Sequence, residues 1–243
     1  MSKSKFLELS KKFKILKKFY FFYNIYIRNY KFLKNGSQFQ EDQFILKEFQ
    51  NNYKGKYLDI GCFHPIRHNN TYKMHKLGWS GMNIDLNPLT IELFDYARPK
   101  DINLNIGISN KETIKKLYFI DELNTQNTLD PNQLLFLKNH HNIRNEDIVE
   151  KEIKVKPINL ILDDYGFNNI DFMNLDVEGH ELEIIESLNF NKNKIKYLCI
   201  EMIKHNSEAK LRSEKINQIL KLNKYSLIKE IGFNYIYKNL QLN

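Results

Sequence analysis

The first 34 residues show a helical repeat of apolar side chains. Their spacing alternates between three and four residues, which places them on one face of an α-helix. Residues 3–34 contain neither Gly nor Pro, and Asn35-Gly36 supplies a stop signal. The pattern therefore predicts one continuous amphipathic helix. Its apolar stripe consists of Phe6, Leu9, Phe13, Leu16, Tyr20, Tyr23, Ile27 and Tyr30.

The rest of the chain alternates short apolar runs with helical patterns. Strands that alternate with helices indicate a mostly parallel sheet with helices on both faces. The last two strands form a predicted hairpin, which adds an antiparallel strand at one side. The predicted strands are 56–60, 81–85, 101–108, 116–120, 151–157, 171–175, 196–202, 225–230 and 233–238. The predicted helices are 40–51, 69–77, 87–97, 131–139, 180–188 and 207–222.

These elements predict an α/β fold with a Rossmann-like sheet and an N-terminal helical extension. Residues 1–36 are the basic extension, and residues 37–243 are the Rossmann-like domain. Residues 121–150 are Asn-rich and weakly periodic, so we expect an insertion there. The run at 151–157 alternates polar and apolar positions, as an edge strand does.

The positive charge of the chain is concentrated in the extension. The net charge is +8, and residues 1–34 hold ten Lys and Arg against one acid, Glu8. The body is thus nearly neutral, which argues against a nucleic-acid partner because phosphate binding needs a basic surface. A basic amphipathic helix can lie on an anionic membrane. The alternative is packing onto the domain or onto a second subunit in a homodimer.

The cysteines and the hydropathy pattern indicate a cytoplasmic protein. Cys62 and Cys199 lie in or beside apolar runs, so we expect two buried, reduced thiols rather than a disulfide or a zinc site. No stretch approaches the roughly 20 apolar residues of a membrane span. The apolar run 19–27 lacks a small-residue cleavage site, so a signal peptide is not expected. Localisation at the inner face of a membrane stays open through the basic helix.

Acidic residues and a glycine follow the first two predicted strands. Asp59 lies on the first strand and Gly61 at the following turn, where a backbone without Cβ lets a ligand approach closely. Asp85 ends the second strand, where an acid can accept hydrogen bonds from both hydroxyls of a ribose. Phe63 and Pro65 occupy the positions where a dinucleotide fingerprint needs glycines. The pattern therefore favours a nucleoside cofactor without a pyrophosphate.

Longer motifs resemble the class I S-adenosylmethionine-dependent methyltransferases, and most closely the FkbM family. The resemblance covers roughly residues 40–205, and its most specific part is the DVEGHE block at 176–181. The extension and the insertion lie outside it. The matching runs are DIGCFHP (59–65), NTY (70–72), GWSG (78–81), NIDLNP (83–88), NIGIS (105–109), DFMNLDVEGHE (171–181) and CIEM (199–202), with His205 shortly after.

The resemblance implies transfer of a methyl group from S-adenosylmethionine to an oxygen, typically a hydroxyl of a sugar or a polyketide-type product. Asp59, Gly61 and Cys62 are then expected to line the methionine part of the cofactor, and Asp85 to hold the ribose. Asn105 and its neighbours are expected to flank the adenine. Thr71 is placed with these cofactor-binding residues.

Four ionisable residues are expected to meet where the methyl group is transferred. A hydroxyl is a weak acid, so a general base or a divalent cation is needed to activate it. His180 is predicted as the base, with Asp176 or Glu201 as the alternative. Asp176, Glu178 and Glu201 are candidate ligands of Mg²⁺ or Mn²⁺ through their oxygens. The structural alternative for the 176–181 block is capping of a helix N-terminus.

The sequence thus predicts an O-methyltransferase for a sugar or glycan-linked acceptor, as in capsule or lipopolysaccharide synthesis. One alternative is a methyltransferase for RNA or protein, against which the neutral body and the lack of an Asn-Pro-Pro-Tyr-type motif count. The other is a non-catalytic S-adenosylmethionine-binding module. The retention of acids at Asp59, Asp85, Asp176 and Glu201 counts against that alternative.

Overall fold

The computed structural model describes residues 13–120, 127–140, 143–204 and 206–242. The strands are β1 (Lys56–Ile60), β2 (Ser80–Asp85), β3 (Ile102–Asn105), β4 (Gly107–Ile108), β5 (Thr113–Phe119), β6 (Val149–Lys156), β7 (Asn169–Leu175), β8 (Lys194–Glu201), β9 (Tyr225–Ile231) and β10 (Asn234–Asn239). The α-helices are α1 (Lys14–Phe22), α2 (Glu41–Leu46), α3 (Tyr72–Lys76), α4 (Pro88–Ala97), α5 (Pro131–His140), α6 (Ile158–Asp164), α7 (Glu181–Ser187) and α8 (Ser207–Leu222).

Seven strands form the main sheet in the order β3-β2-β1-β7-β8-β10-β9. The neighbours from β3 to β8 pair in parallel, and β10 is antiparallel to both β8 and β9. The predicted Rossmann-like fold with an antiparallel C-terminal strand is therefore confirmed. The antiparallel strand lies inside the sheet, because β9 pairs with its outer edge.

The two faces of the sheet carry different side chains because neighbouring residues of a strand point to opposite sides. Leu58 and Met173 face an aliphatic layer that includes residues of α6, α7 and α8. Tyr57 and Phe172 face a more aromatic layer with residues of α2 and α3. Both layers are buried, which explains why the central strands read as nearly continuous apolar runs.

A second, three-stranded sheet of order β4-β6-β5 corrects three strand predictions. The predicted strand 101–108 divides into β3 in the main sheet and β4 in the small one. The predicted strand 116–120 is part of β5, which also lies in the small sheet. The predicted edge strand 151–157 corresponds to β6, which is the central strand of that sheet. Alternation of polar and apolar residues indicates that one side of a strand faces solvent. A central strand of a small sheet, such as β6 between its parallel partner β4 and its antiparallel partner β5, has such a side as well.

Two strands of the small sheet, β5 and β6, flank the predicted insertion in the chain. β5 and β6 pair antiparallel from Thr113↔Val155 to Phe119↔Val149, and the chain between them contains α5. Residues 121–126 and 141–142 of that segment lie outside the described residues. The insertion is therefore held at its base by the ladder of β5 and β6.

The N-terminal segment is not one continuous helix. α1 is followed by a π-helical turn, Tyr23–Ile27, and by a short 3-10 turn, Tyr30–Phe32. The break falls at Asn29, whose buried side chain donates a hydrogen bond of 2.6 Å to the carbonyl of Asn24. Such a side-chain bond to the backbone competes with helical hydrogen bonds. Residues 1–12 of the predicted helix lie outside the described residues.

The predicted stripe of this segment is divided between two environments. Tyr20 is buried, as are Phe21 and Ile25, and they pack against residues that include Leu89 and Leu93 of α4. The predicted stripe residues Phe13, Tyr23, Ile27 and Tyr30 are exposed instead. Within the described ranges, no helix combines the length and the apolar character needed to cross a membrane.

Candidate functional site

A cleft opens at the carboxyl ends of the parallel strands. It lies where the strand order reverses between β1 and β7, the position at which open α/β sheets bind ligands. Thr71 is fully buried behind the wall, and Asn105 is exposed outside it. The residues predicted from sequence that line the cleft are Asp59, Gly61, Cys62, Asp85, Asp176, Glu178, His180 and Glu201.

Asp59 is held by a dense set of hydrogen-bond donors. One carboxylate oxygen accepts from the amide of Asn174 at 2.9 Å, and the other accepts from Asn69 at 2.9 Å and from Thr71 at 2.8 Å. Burial raises the pKa of Asp59, while these donors and the charge of Arg98 act in the opposite direction. Asp59 therefore fixes the wall of the cleft and has little capacity left for a ligand.

Arg98 is a residue that the sequence analysis missed. It follows α4 and is almost fully buried. Its guanidinium donates to Thr71 at 2.9 Å, to Asn69 at 2.8 Å and to the carbonyl of Pro65. The loop between β1 and α3 is thus tied to α4. A single arginine after a helix carries no sequence signal for this role, because its partners come together only in the fold.

Asp85 presents its carboxylate at the end of β2. One oxygen accepts from the backbone N–H of Phe63 at 2.9 Å, and the other accepts from that of Asn87 at 2.8 Å. Each oxygen keeps a further lone pair for a ligand. Burial raises the pKa of Asp85 to about 6, and the two backbone bonds act against this shift. Asn87 also caps α4 by accepting from Leu89, so the turn after β2 is rigid.

Gly61 allows the two central strands to approach each other. Its φ is 78°, and a Cβ built on it would lie 1.6 Å from the backbone oxygen of Asp176. Only glycine fits this turn. Phe63 and Glu178, on the two sides of the cleft, also adopt left-handed backbone angles, with φ of 51° and 52°. Strained residues of this kind cluster at ligand sites.

The side of the cleft beyond Asp85 is apolar. Leu86, Ile106 and Ile108 contribute to its wall, which suits a flat aromatic base. Asn105 instead uses its side-chain amide to donate to the backbone oxygen of Asp85 at 2.9 Å. Its neighbours therefore line the cleft, while Asn105 supports Asp85 from outside. We call Asp59, Gly61 and Asp85 with their loops the cofactor end.

Three carboxyl groups lie together at the opposite end of the cleft. One oxygen from each of Asp176, Glu178 and Glu201 lies within 4.8 Å of the others, and we call this set the acidic end. Burial and the charge of Glu201 raise the pKa of Asp176 well above its usual range. Burial also raises the pKa of Glu201 to about 7 and that of Glu178 to about 8. Glu201 and Glu178 therefore bind and release protons near neutral pH.

Helix capping does not account for the acidic end. The side chain of Glu181 accepts from the backbone N–H groups of Val177 and Gly179, each at 3.1 Å. Gln133 donates to Glu178 at 3.2 Å. Among the described residues, no backbone N–H donates to the side chain of Asp176, Glu178 or Glu201. Glu181 thus holds the turn that precedes α7, no side chain caps the first turn of that helix at its N-cap residue His180, and Asp176, Glu178 and Glu201 line the cleft.

His180 lines the cleft beside the acidic end and is paired with a carboxylate. Its Nε2 lies 2.7 Å from Glu183, which also accepts from Ser109 at 2.6 Å and from Lys115 at 3.0 Å. These donors lower the pKa of Glu183 to about 2 despite its partial burial. Burial lowers the pKa of His180. The ring is therefore oriented by an anion and favours its neutral form.

The residues that line the cleft fit S-adenosylmethionine. Asp85 offers two acceptor oxygens for a ribose, the apolar wall fits an adenine, and the turn at Gly61 and Cys62 lines the same cleft. Fold and site together define a Rossmann-like methyltransferase. The family model for the methyltransferase FkbM domain matches residues 55–234, so the chain belongs to the FkbM methyltransferase family.

No curated protein sequence is matched by the chain. A solved structure with some likeness is the ribosomal protein L11 methylase from Lactobacillus delbrueckii subsp. bulgaricus. It is 12% identical, with a TM-score of 0.41, over 82% of this chain and 75% of that one.

Proposed function

We propose that the protein transfers a methyl group from S-adenosylmethionine to a hydroxyl of a sugar or glycan-linked acceptor, as in capsule or lipopolysaccharide synthesis. One observation carries the proposal: three carboxyl groups whose pKa values are raised by burial lie together at one end of a cleft whose other end fits the cofactor. This arrangement pairs an electrophile site with groups that can take up a proton.

The cofactor supplies an electrophilic methyl group on a sulfonium, whose departure needs no acid. Asp85 binds the ribose hydroxyls and fixes the position of the cofactor along the cleft. Gly61, with the loop that follows it, orients the methionine part towards Asp176. Alignment of this kind provides much of the acceleration in a displacement reaction.

The acidic end takes the proton from the acceptor. Asp176 follows β7, and Glu201 ends the neighbouring strand β8. The charge of Glu201 raises the pKa of Asp176, whereas the hydrogen bond with Asp176 lowers the pKa of Glu201 against the effect of burial. A base is most effective when its pKa lies near the working pH, and the pKa of Glu201 is about 7. His180 is the competing base. Its Nε2 is already paired with Glu183, and the residues around it, Ser109 and Lys115, belong to the side of the small sheet.

An acceptor rich in hydroxyl groups fits the acidic end better than a nucleic acid does. Carboxylates accept hydrogen bonds from sugar hydroxyls, whereas several acids in one place repel phosphate groups. The acceptor hydroxyl donates to Glu201, and Glu178 and Asp176 accept from neighbouring hydroxyls. This polarity also supports an oxygen as the methylated atom.

A divalent cation is the remaining part of the proposal. Mg²⁺ or Mn²⁺ prefers oxygen ligands, and the three side chains of the acidic end offer one each. Such an ion would hold the carboxyls ionised and lower the pKa of an acceptor hydroxyl. Transfer is therefore to be measured with Mg²⁺, with Mn²⁺ and with a chelator.

The experiment is a calorimetric titration of the protein with S-adenosylhomocysteine, followed by transfer of a labelled methyl group to a panel of sugars. We expect micromolar binding that the variant Asp85→Ala loses. Asp95→Ala is the matched control, because Asp95 is an exposed acid of α4 outside the cleft. Absence of binding by the folded protein would rule out S-adenosylmethionine as the cofactor. If RNA or protein is labelled and no sugar is, the proposed sugar or glycan-linked acceptor would be ruled out.

A further inference from the structure

The N-terminal segment presents a row of apolar side chains to solvent. The most exposed members include Ile15, Phe19 and Tyr30, with exposed fractions of 66%, 65% and 71%. Isolated exposed apolar residues are common, but a closely spaced set along one helical segment marks a contact surface. We call this set the outer face. It consists of Phe13, Ile15, Phe19, Phe22, Tyr23, Ile27 and Tyr30.

The opposite side of the same segment is fixed to the domain. Tyr20, Phe21 and Ile25 are buried in a cluster with Leu89 and Leu93 of α4. Lys17 adds an ion pair of 2.6 Å with Glu92 of the same helix. Rotation of the segment would expose this cluster to water, so the outer face stays turned away from the domain.

The charge around the outer face selects its partner. Residues 13–40 contain six cationic side chains and no acid. Lys18 and Arg28 lie between members of the outer face, Lys31 directly follows its last member, and all three residues are exposed. Aromatic side chains with interspersed cations match the boundary of a bilayer that carries anionic lipids. We infer that the outer face docks the protein on an anionic membrane surface.

A second copy of the chain fits this surface less well. A two-fold interface places the same patch on both sides, so the cations of one copy would meet the cations of the other. Residues 13–40 hold no acid to compensate, and Glu92 of α4 is already paired with Lys17. Lipid phosphates supply the missing negative charge.

Docking would hold the cleft next to the membrane. Phe32, just after the outer face, packs its ring edge-on against His68, with 4.9 Å between ring centres, and His68 lines the cleft. Arg28 and Asn29 share a small pocket with Phe63 and Thr90, and both of those residues also line the cleft. If the protein has the proposed function, on which this step rests, an acceptor carried on a lipid would therefore be near the methyl group.

The test is sedimentation of the full chain with vesicles of phosphatidylcholine alone or with phosphatidylglycerol added. We expect binding only to the anionic vesicles, weakened by high salt. The double variant Ile15→Ser/Phe19→Ser should lose it. The triple variant Lys18→Gln/Arg28→Gln/Lys31→Gln should bind on the order of a hundredfold more weakly, because each cation near an anionic surface contributes.

Leu222→Ser is the matched control, since Leu222 is an equally exposed apolar residue at the end of α8. It should keep full binding, and every variant should keep the thermal stability of the parent because the changed side chains are exposed. Equal binding to both kinds of vesicle, or unchanged binding by Ile15→Ser/Phe19→Ser, would overturn the inference. So would a dimer in solution that this double variant dissociates.

Discussion

The two ends of the cleft hold their carboxyl groups in opposite ways. At the cofactor end, every oxygen of Asp59 and Asp85 accepts at least one hydrogen bond from a defined donor. At the acidic end, Asp176 and Glu201 face each other, and Gln133 donates a hydrogen bond to Glu178. The first arrangement fixes geometry, whereas the second leaves protons exchangeable.

The difference shows how one sheet supports both binding and chemistry. Donors at the cofactor end come from loops after β1 and β2 that are tied down by Arg98 and by the cap at Asn87. The acidic end follows β7 and β8, where desolvation outweighs the few donors present, such as Gln133 at Glu178. Burial raises the pKa of a carboxyl group most where few hydrogen-bond donors stabilise the ionised form. Such a shift is useful where a proton must move.

The largest expected effect comes from Arg98, whose removal should disorder the cofactor end. The variant Arg98→Met keeps the volume but leaves Asn69, Thr71 and a carbonyl without their donor. We expect a loss of about 3–5 kcal/mol in the free energy of unfolding, as for a buried charged partner removed from its network. Urea unfolding measures it. Arg144→Met, at an exposed arginine, should stay within about 0.5 kcal/mol. A loss below about 1 kcal/mol for Arg98→Met would show that the network tolerates its absence.

The second effect separates chemistry from binding. Glu201→Gln should slow methyl transfer by roughly 10²–10⁴-fold, the usual contribution of a general base, while affinity for S-adenosylhomocysteine changes little. His180→Asn should slow it about tenfold or less, because a ring oriented beside the base contributes less than the base. Steady-state rates and calorimetry measure the two quantities. Glu186→Gln, at an exposed acid of α7, is the control. A larger loss for His180→Asn than for Glu201→Gln would make His180 the base.

The smallest effect is a pH dependence of stability that belongs to the acidic end. Glu178 has a pKa of about 8 in the folded protein and 4.5 as its ordinary value, so the folded state binds more protons between these pH values. The contribution of Glu178 to the free energy of unfolding is therefore fully present below pH 4.5, and it is lost as the pH rises towards 8. One proton changes the free energy of unfolding by about 1.4 kcal/mol per pH unit at most.

Thermal unfolding between pH 5.5 and 8.5 measures this dependence. The melting temperature should fall as the pH rises, by a few degrees per unit for a chain of this size. Glu178→Gln should flatten the curve, whereas the control Glu186→Gln should leave it unchanged. A melting temperature that rises with pH over this range in the parent protein would contradict the raised pKa values.

Much of the fold and part of the site could be predicted from local pattern. The helix at 207–222 and the strand at 56–60 have the predicted bounds, because a strict apolar period or a short apolar run before glycine specifies them. The second sheet could not be predicted, since β4 has two residues and acquires its pairing from β6. Thr71 and Asn105 follow the family motif, yet their side chains support Asp59 and Asp85 from outside the cleft.

The sequence by itself determined the class of the fold, the strand ends that carry acids and the family, because these depend on periodicity and on residues close together in the chain. Tertiary structure alone decided which acids lose their donors and which keep them. Asn174 reaches Asp59 across 115 positions, and Arg98 reaches Thr71 across 27. It also decided which side of the N-terminal segment is covered, because a helix with apolar residues on more than one side buries only the side that finds a matching surface.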